Sequence, residues 1–156
     1  MRRRVLQVAM LGLMAVAMPR PVSADEPALV GRWLTERANA VVQIGPCTGA
    51  GAGQVCGTIV WLWQPNDDSG RPRRDTENQA ADRRDRPLIG TEILTGFAAK
   101  SPGYWAGGRI YNPEDGRTYD ANLRLNGADA LVVEGCVLFI CKKQSWRRAS
   151  AVCPPG

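Results

Sequence analysis

Strict alternation of apolar and polar side chains constrains the fold of this chain more than any other feature. The alternation is clearest in residues 119–125 (YDANLRL), where Tyr, Ala and Leu alternate with Asp, Asn and Arg. A period of two places the apolar set on one face of a β-strand and the polar set on a wet face. The preceding residues 112–116 (NPEDG) supply a proline for the first corner of a turn and a glycine for positive φ. This segment therefore predicts a β-hairpin.

Comparable runs recur along the chain, and no stretch beyond the first two dozen residues shows a convincing helical stripe. Each run is ended by Gly, Pro, Asn or Asp, as is usual for strands. Short antiparallel strands must hide their edges, and an up-and-down barrel does so by closing the sheet. Eight strands enclose space for packed side chains or for one small ligand. We therefore predict an all-β fold, a single antiparallel β-barrel, with strands near residues 29–36, 40–46, 55–64, 90–98, 103–112, 117–125, 129–136 and 139–148.

The first 24 residues have the layout of a secretory signal peptide. A positive start, Met1–Arg4, precedes an uncharged apolar run over residues 5–18, two prolines, and the small-residue site V-S-A that ends at Ala24. The apolar run is too short to span a bilayer, and the prolines disfavour a retained anchor. We expect cleavage after Ala24 and a periplasmic or secreted protein with no transmembrane span in the mature chain. Residues 25–156 then form one barrel domain, with a long polar loop at 65–89 and a short C-terminal tail.

The net charge gives no support to a nucleic-acid partner. Four of the 20 Lys and Arg residues lie in the predicted leader, so 16 remain against 15 acidic residues. The basic isoelectric point thus arises from the leader, and the mature chain carries a charge of about +1 instead of a basic patch.

Five cysteines agree with export, because disulfides persist in oxidising compartments. Each of two pairs, Cys47–Cys56 and Cys136–Cys141, brackets a short connection between predicted strands, so we predict these two disulfides. Cys153 is left over. The chain contains no histidine and no C-x-x-C spacing, so a zinc site is disfavoured and we predict no metal and no cofactor.

Two short motifs near the ends of the predicted barrel resemble the lipocalin (calycin) arrangement. They are Gly31-x-Trp33 on the first strand and Trp146-x-Arg148 on the last. The resemblance implies that Trp33 plugs the closed end of the barrel and that Arg148 lies across it. A guanidinium over an indole gains a cation–π contact while its rim stays hydrogen-bonded.

Over residues 31–148 the chain also resembles a narrower bacterial secreted family, domain of unknown function 2147. The resemblance implies an exported lipocalin-like barrel, in a family without an established activity. The chain lacks the second lipocalin motif Thr-Asp-x-x-Tyr, has no obvious helix before its end, and carries its longest loop after the third strand. The resemblance therefore does not fix which barrel end is open. The motifs that carry it, in order, are Gly31-x-Trp33, Pro46-Cys47, Cys56-Gly57-x-Ile59-x-Trp61, Asp75-x-x-Asn78, Arg86-Pro87-Leu88-x-Gly90, Gly107-Gly108-x-Ile110-Tyr111-x-Pro113-x-x-Gly116-x-x-Tyr119 and Trp146-x-Arg148.

Aromatic residues supply the candidate ligand site. Simple alternation puts Trp61 and Trp63 on one face with Ile59, and Trp105 on one face with Gly107, Arg109 and Tyr111. These rings either fill the barrel or line a cavity beside Gly107 and Gly108, whose missing side chains would leave room for a ligand. An inward Arg109 would pair with a ligand carboxylate. The candidate ligand-binding residues are Trp61, Trp63, Trp105, Arg109, Tyr111 and Tyr119.

Residues 65–89 interrupt the strand pattern with six arginines and six acidic residues. Such a segment is either a solvated surface loop or, as ordered loops of this length often are, functional. Its motif residues are Asp75, Asn78 and Arg86. Asp75, Asp82, Asp85 and the nearby Glu92 are the candidate carboxylates for acid–base catalysis, but the arginines paired with them make salt bridges the better interpretation. No histidine is present to act as a general base.

These observations favour a non-catalytic, exported binder of a small apolar or amphipathic ligand, as a monomer or homodimer. The alternative is an envelope protein-interaction module that uses the 65–89 loop or the apolar hairpin tip at residues 137–140. We expect this tip to cap the barrel end as part of the core, but an exposed tip would be a docking patch. A carboxylate-dependent enzyme is the third hypothesis.

Overall fold

The computed structural model describes residues 26–51 and 53–149. The predicted leader and the tail with Cys153 lie outside the described residues. A four-residue helix, α1 (Glu26–Leu29), precedes eight strands, and single 3-10 turns occupy Gly49–Gly51 and Ala81–Arg83. None of the described helices is long and apolar enough to cross a membrane. The strands are β1 (Gly31–Leu34), β2 (Ala40–Pro46), β3 (Val55–Leu62), β4 (Glu92–Ser101), β5 (Tyr104–Asn112), β6 (Arg117–Leu125), β7 (Ala130–Val137) and β8 (Ile140–Arg148).

The sheet closes on itself in sequence order. Each strand pairs antiparallel with the next, and β1 pairs with β8 through Trp33 opposite Arg148 and Leu34 opposite Arg147. The predicted all-β, eight-stranded antiparallel barrel is therefore confirmed. Closure removes the sheet edges that would otherwise invite pairing with other chains.

The antiparallel order sends the connections alternately to two ends of the barrel. Helix α1 and the β2–β3, β4–β5 and β6–β7 connections lie at one end, which we call the closed end. The other end, the mouth, carries the β1–β2 connection, the long β3–β4 loop (residues 63–91), and the β5–β6 and β7–β8 turns.

Both predicted disulfides are present. Cys47 and Cys56 join the ends of β2 and β3 at the closed end, and Cys136 and Cys141 clamp the β7–β8 hairpin at the mouth. Each bridge thus closes a short connection between neighbouring strands.

A β-bulge in β5 reverses the alternation that we inferred from the sequence. Trp105 lies opposite Leu123 and Gly108 lies opposite Ala121, so three steps on β5 match two on β6. The extra residue, Gly107, has φ +73° and is exposed. The prediction that Trp105 shares a face with Gly107, Arg109 and Tyr111 is therefore wrong, because Trp105, Gly108 and Ile110 face inward instead.

A second bulge, on β3, also reverses the predicted alternation of inward and outward side chains. The adjacent residues Val41 and Val42 lie opposite Trp61 and Ile59, respectively, so Val60 is the extra residue. Neighbouring residues of a strand face opposite sides of the sheet, so their partners do as well. The prediction that Trp61 and Ile59 share a face is wrong, and only Ile59 belongs to the core.

Large side chains fill the half of the barrel nearest the closed end. Trp33, Trp105 and Trp146 are at most 1% exposed, and Phe97 is fully buried beside them. A Cβ atom on Gly108 would lie 2.4 Å from the Phe97 ring. The absent side chain of Gly108 therefore makes room for Phe97, and not for a ligand as we predicted.

Candidate ligand-binding site

The side chains of Trp33 and Arg148 stack on each other at the closed end. The Trp33 side chain is fully buried and donates a hydrogen bond from Nε1 to the Leu29 carbonyl oxygen at 2.8 Å. The Arg148 guanidinium carbon lies 3.9 Å from the Trp33 ring centroid. A glycine suits position 31, since its φ of +136° disfavours a side chain and a Cβ there would come within 2.7 Å of Arg148 Nη1.

Backbone carbonyl oxygens at the closed end accept hydrogen bonds from the Arg148 guanidinium. Its Nη1 donates to Val30 at 3.0 Å, and its Nη2 donates to Ala128 at 3.3 Å and to Ala28. The guanidinium thus ties α1, the residue after it and the β6–β7 turn to the indole.

The mouth, in contrast, opens into a cavity of about 1560 Å³. Its floor is apolar, and Trp146 separates it from the packed half of the barrel. Gly135 also faces the cavity, since it lies opposite the inward residue Ala121. The apolar floor and wall consist of Ile59, Leu62, Leu88, Ile93, Ile110, Val133 and Trp146.

The rim of the cavity is charged. Arg37 forms an ion pair with Glu114 across the mouth at 3.0 Å, and two further pairs lie within the long loop, Arg71 with Asp67 and Arg74 with Asp85. The hydrogen bond from the Arg71 backbone N–H, with those from the Ser69 backbone N–H and the Arg71 side chain, holds the pKa of Asp67 below its ordinary value. Arg73 and Lys142 line the same rim and form no ion pair with any described residue.

The loop motif forms one hydrogen-bonded cluster around a buried carboxylate. The Asp75 side chain is fully buried, and its Oδ2 accepts from Arg86 Nη2 at 2.7 Å and Arg86 Nε at 2.9 Å. Asn78 Nδ2 donates to the same oxygen at 2.8 Å, and Tyr111 donates its hydroxyl proton to Oδ1 at 2.5 Å. The structure thus brings the three predicted loop residues together, and it adds Tyr111 from β5.

This cluster fixes the long loop against the barrel. Burial and the hydrogen bond to the Asp75 carboxylate raise the pKa of Tyr111 to about 12, so the hydroxyl stays protonated and donates. Gly116 in the β5–β6 turn allows the close approach, because a Cβ there would overlap the Glu77 carbonyl oxygen at 1.7 Å. The Asp75 carboxylate has no exposed surface, and its hydrogen bonds from Arg86, Asn78 and Tyr111 all lie within the cluster, which favours a structural role for it.

Three of the six candidate ligand-binding residues line the cavity and three do not. Trp63, 71% exposed, stands at the mouth with Tyr111 and Tyr119. Tyr119 donates to Asp115 Oδ2 at 2.5 Å, which raises the pKa of the phenol. Trp61 and Arg109 lie on the outer wall because of the two bulges, and Trp105 is buried in the packed half.

The aliphatic floor was missed by the sequence reasoning. Ile110 and Val133 face inward from β5 and β7, and the signal for Ile110 was the Gly107-Gly108 pair, since adjacent glycines in a strand suggest a bulge. Counting the alternation afresh from Gly108 would have placed Ile110 inside the barrel.

The hairpin tip at residues 137–140 is exposed, which corrects our expectation that it caps the barrel. Val137 and Ile140 are 52% and 64% exposed, and Leu138 and Phe139 are 90% and 88% exposed. The reason is geometric: Val137 pairs with Ile140 in a two-residue turn that continues the barrel wall beyond the mouth.

Comparisons with known proteins agree with this architecture. The chain is similar to a solved structure described as protein HP1028 from the human pathogen Helicobacter pylori, of the lipocalin family, with a TM-score of 0.67 and 20% identity over 79% of this chain and 84% of that chain. At this identity the likeness shows the fold alone. The comparison with curated proteins found no match. The model of a family described as uncharacterized proteins conserved in bacteria (DUF2147) matches residues 31–148. The chain therefore belongs to the DUF2147 family and has a lipocalin-like fold.

Proposed function

We propose that this protein is a non-catalytic carrier that binds one small amphipathic molecule in the mouth half of the barrel. The observation that supports this most is the open cavity of about 1560 Å³ with an aliphatic floor and a charged rim. Ligand pockets are commonly about 300–1,000 Å³ and mostly apolar with a few placed polar groups. The larger value here includes the wide mouth, and the apolar part below it suits a hydrocarbon tail.

The rim favours an anionic head group. Arg73 and Lys142 have no ion-pair partner among the described residues, whereas Arg37 and Arg71 are held by Glu114 and Asp67. A carboxylate or phosphate beside Arg73 would gain charge-assisted hydrogen bonds without breaking an existing ion pair. This replaces the sequence-based assignment of that role to Arg109, which lies on the outer wall.

Export to the periplasm or beyond is part of the proposal. The leader pattern of residues 1–24 and the two disulfides support it. The intact mass of the exported protein should begin at Asp25, and a mature protein that still begins at Met1 would contradict the proposed location.

Glycine 135 allows a direct test of the cavity. It faces the cavity, its φ is not positive, and a Cβ would make ordinary contacts with Ile110 at 3.4 Å and Tyr119 at 4.0 Å. Gly135→Leu should therefore place a side chain in the cavity with little strain. A fluorescent fatty acid should bind the wild type, and the variant should bind it at least about tenfold more weakly.

The matched control is Gly45→Leu. Gly45 also lies in a strand without positive φ, and a Cβ there meets no atom within 4 Å. Denaturant unfolding of both variants checks that each is folded. Fatty-acid affinity that is equal in Gly135→Leu, Gly45→Leu and the wild type would refute the proposed cavity function.

A further inference from the structure

The exposed hairpin tip, residues 137–140, is more apolar than the solvent-exposed surface of a protein usually is. Four consecutive apolar side chains project at one corner of the mouth, with exposed fractions of 52%, 90%, 88% and 64%. Single exposed apolar residues are ordinary, but a contiguous apolar cluster marks a surface that contacts something other than water.

The tip is held in this exposed position. The Cys136–Cys141 disulfide clamps its base, and Val137 pairs with Ile140. Leu138 has φ 54°, a conformation that glycine adopts freely and that a leucine adopts at a cost. The turn therefore carries a large apolar side chain where the backbone alone would favour glycine, and the disulfide joins the two strands at the base of the tip.

Positive charge lies directly behind the apolar tip. Lys142 and Lys143 follow Cys141 on β8 and are both exposed. Lys143 contacts Glu134 on the neighbouring strand at 3.5 Å, and Lys142 forms no ion pair among the described residues. Further along β8, the Glu36 carboxylate accepts a hydrogen bond from the Ser145 backbone.

We propose that the tip inserts into the interface of a bilayer that contains anionic phospholipids, with Lys142 and Lys143 against the head groups. Leucine and phenylalanine at the leading end with lysines behind them are the pattern of interfacial membrane binding. A stable protein–protein interface needs about 20–30 residues on each side. A four-residue tip is too small for that, whereas a few inserted side chains plus lysines suffice for reversible attachment to a bilayer. The inference rests on the tip and does not depend on the cavity binding a ligand.

Vesicle co-sedimentation tests the proposal. The wild type should sediment with vesicles of phosphatidylglycerol and phosphatidylethanolamine, and much less with neutral phosphatidylcholine vesicles or at high salt. The double variant Leu138→Ser/Phe139→Ser should lose at least about tenfold in partitioning, since both inserted side chains are removed. The variant Lys142→Gln/Lys143→Gln should lose about fivefold for each charge removed.

Matched controls lie elsewhere on the barrel. Val60→Ser removes an exposed apolar side chain from the outer wall, and Lys100→Gln removes an exposed charge near the closed end. Both should sediment like the wild type. The tip variant should also keep its fluorescent fatty-acid affinity, because Leu138 and Phe139 do not line the cavity.

Three results would overturn the proposal. The first is a wild type that does not sediment with the anionic vesicles. The second is a tip variant that sediments as well as Val60→Ser does. The third is a wild-type dimer in solution that the tip variant converts to monomer, since a second copy of the chain would then be the occupant of the tip.

Discussion

The contact between Trp33 and Arg148 joins β1 to β8 at the closed end, and its energy can be measured with a double-mutant cycle. Trp33→Ala removes a fully buried indole and should cost about 3–5 kcal/mol in the free energy of unfolding, as other large buried aromatics do. Arg148→Ala removes the cation–π contact at 3.9 Å and the hydrogen bonds to carbonyl oxygens, which together should cost about 2–3 kcal/mol.

The double variant should lose less than the sum of the single variants. The cation–π contact disappears in either single variant, so it is counted twice in the sum, and we expect a coupling of about 0.5–2 kcal/mol. Urea unfolding with the disulfides intact measures all four free energies. Arg147→Ala is the control, because Arg147 is exposed and lies on the other face of β8, so its effect should add to that of Trp33→Ala.

A substitution at Gly31 tests the position of the Arg148 side chain independently. Gly31→Ala should be destabilising for two reasons, its φ of +136° and the 2.7 Å approach of the new Cβ to Arg148 Nη1. Arg148→Ala removes the second reason only, so the cost of Gly31→Ala should shrink in that background without vanishing. Additivity of Trp33→Ala and Arg148→Ala to within about 0.3–0.5 kcal/mol would refute the reasoning.

Three further predictions concern the mouth. Asp75→Asn should leave Arg86 without its carboxylate and cost about 3–5 kcal/mol if the cluster is part of the cooperative fold, measured by urea unfolding, with faster amide exchange in the 63–91 loop. Between pH 10 and about 12 the folded state keeps a proton on Tyr111 that the unfolded state has released, so stability should fall as pH rises through this window, and Tyr111→Phe should show a shallower fall. Replacing Cys136 and Cys141 together by serine should cost about 2 kcal/mol on a chain-entropy estimate and leave the 47–56 bridge intact by peptide mapping.

The strands were predictable because each carries its own alternation and its own terminating residues. The hairpin of β5 and β6 is the clearest case, since the turn residues and the alternation of residues 117–125 agree with each other. The bulges at Val60 and Gly107 were not predictable from alternation, because one extra residue reverses every side chain beyond it. Because of these two bulges, Trp61 and Arg109 lie on the outer wall and not in the predicted site.

The candidate site was predictable only where the interaction is local. Opposite charges close together in the 65–89 loop indicated salt bridges, and Arg86 indeed pairs with Asp75. Tyr111, 36 residues further along the chain, joins the cluster only because the barrel brings the end of β5 to this loop. The prediction that the hairpin tip is buried was wrong because it relied on hydrophobicity alone. A two-residue turn beyond the barrel wall has nothing to pack against.

The cavity mouth and the hairpin tip lie at the same end of the barrel, which leads to a kinetic prediction. Val137 and Ile140 border the cavity while Leu138 and Phe139 project away from it, so a tip inserted in a bilayer would hold the mouth at the head groups. An amphipathic ligand could then pass from bilayer to barrel during contact instead of through water. Transfer of a fluorescent fatty acid from anionic vesicles to the wild type should therefore accelerate as the vesicle concentration rises.

With Leu138→Ser/Phe139→Ser the same transfer should become independent of vesicle concentration, since release of the fatty acid into water would limit the rate. The equilibrium affinity for the fatty acid should be the same in both proteins, because the cavity is unchanged. Gly135→Leu, which places a side chain in the cavity, should reduce the amount of fatty acid transferred in either background. Transfer by the wild type that is independent of vesicle concentration would mean that docking and binding are unconnected, even if each occurs.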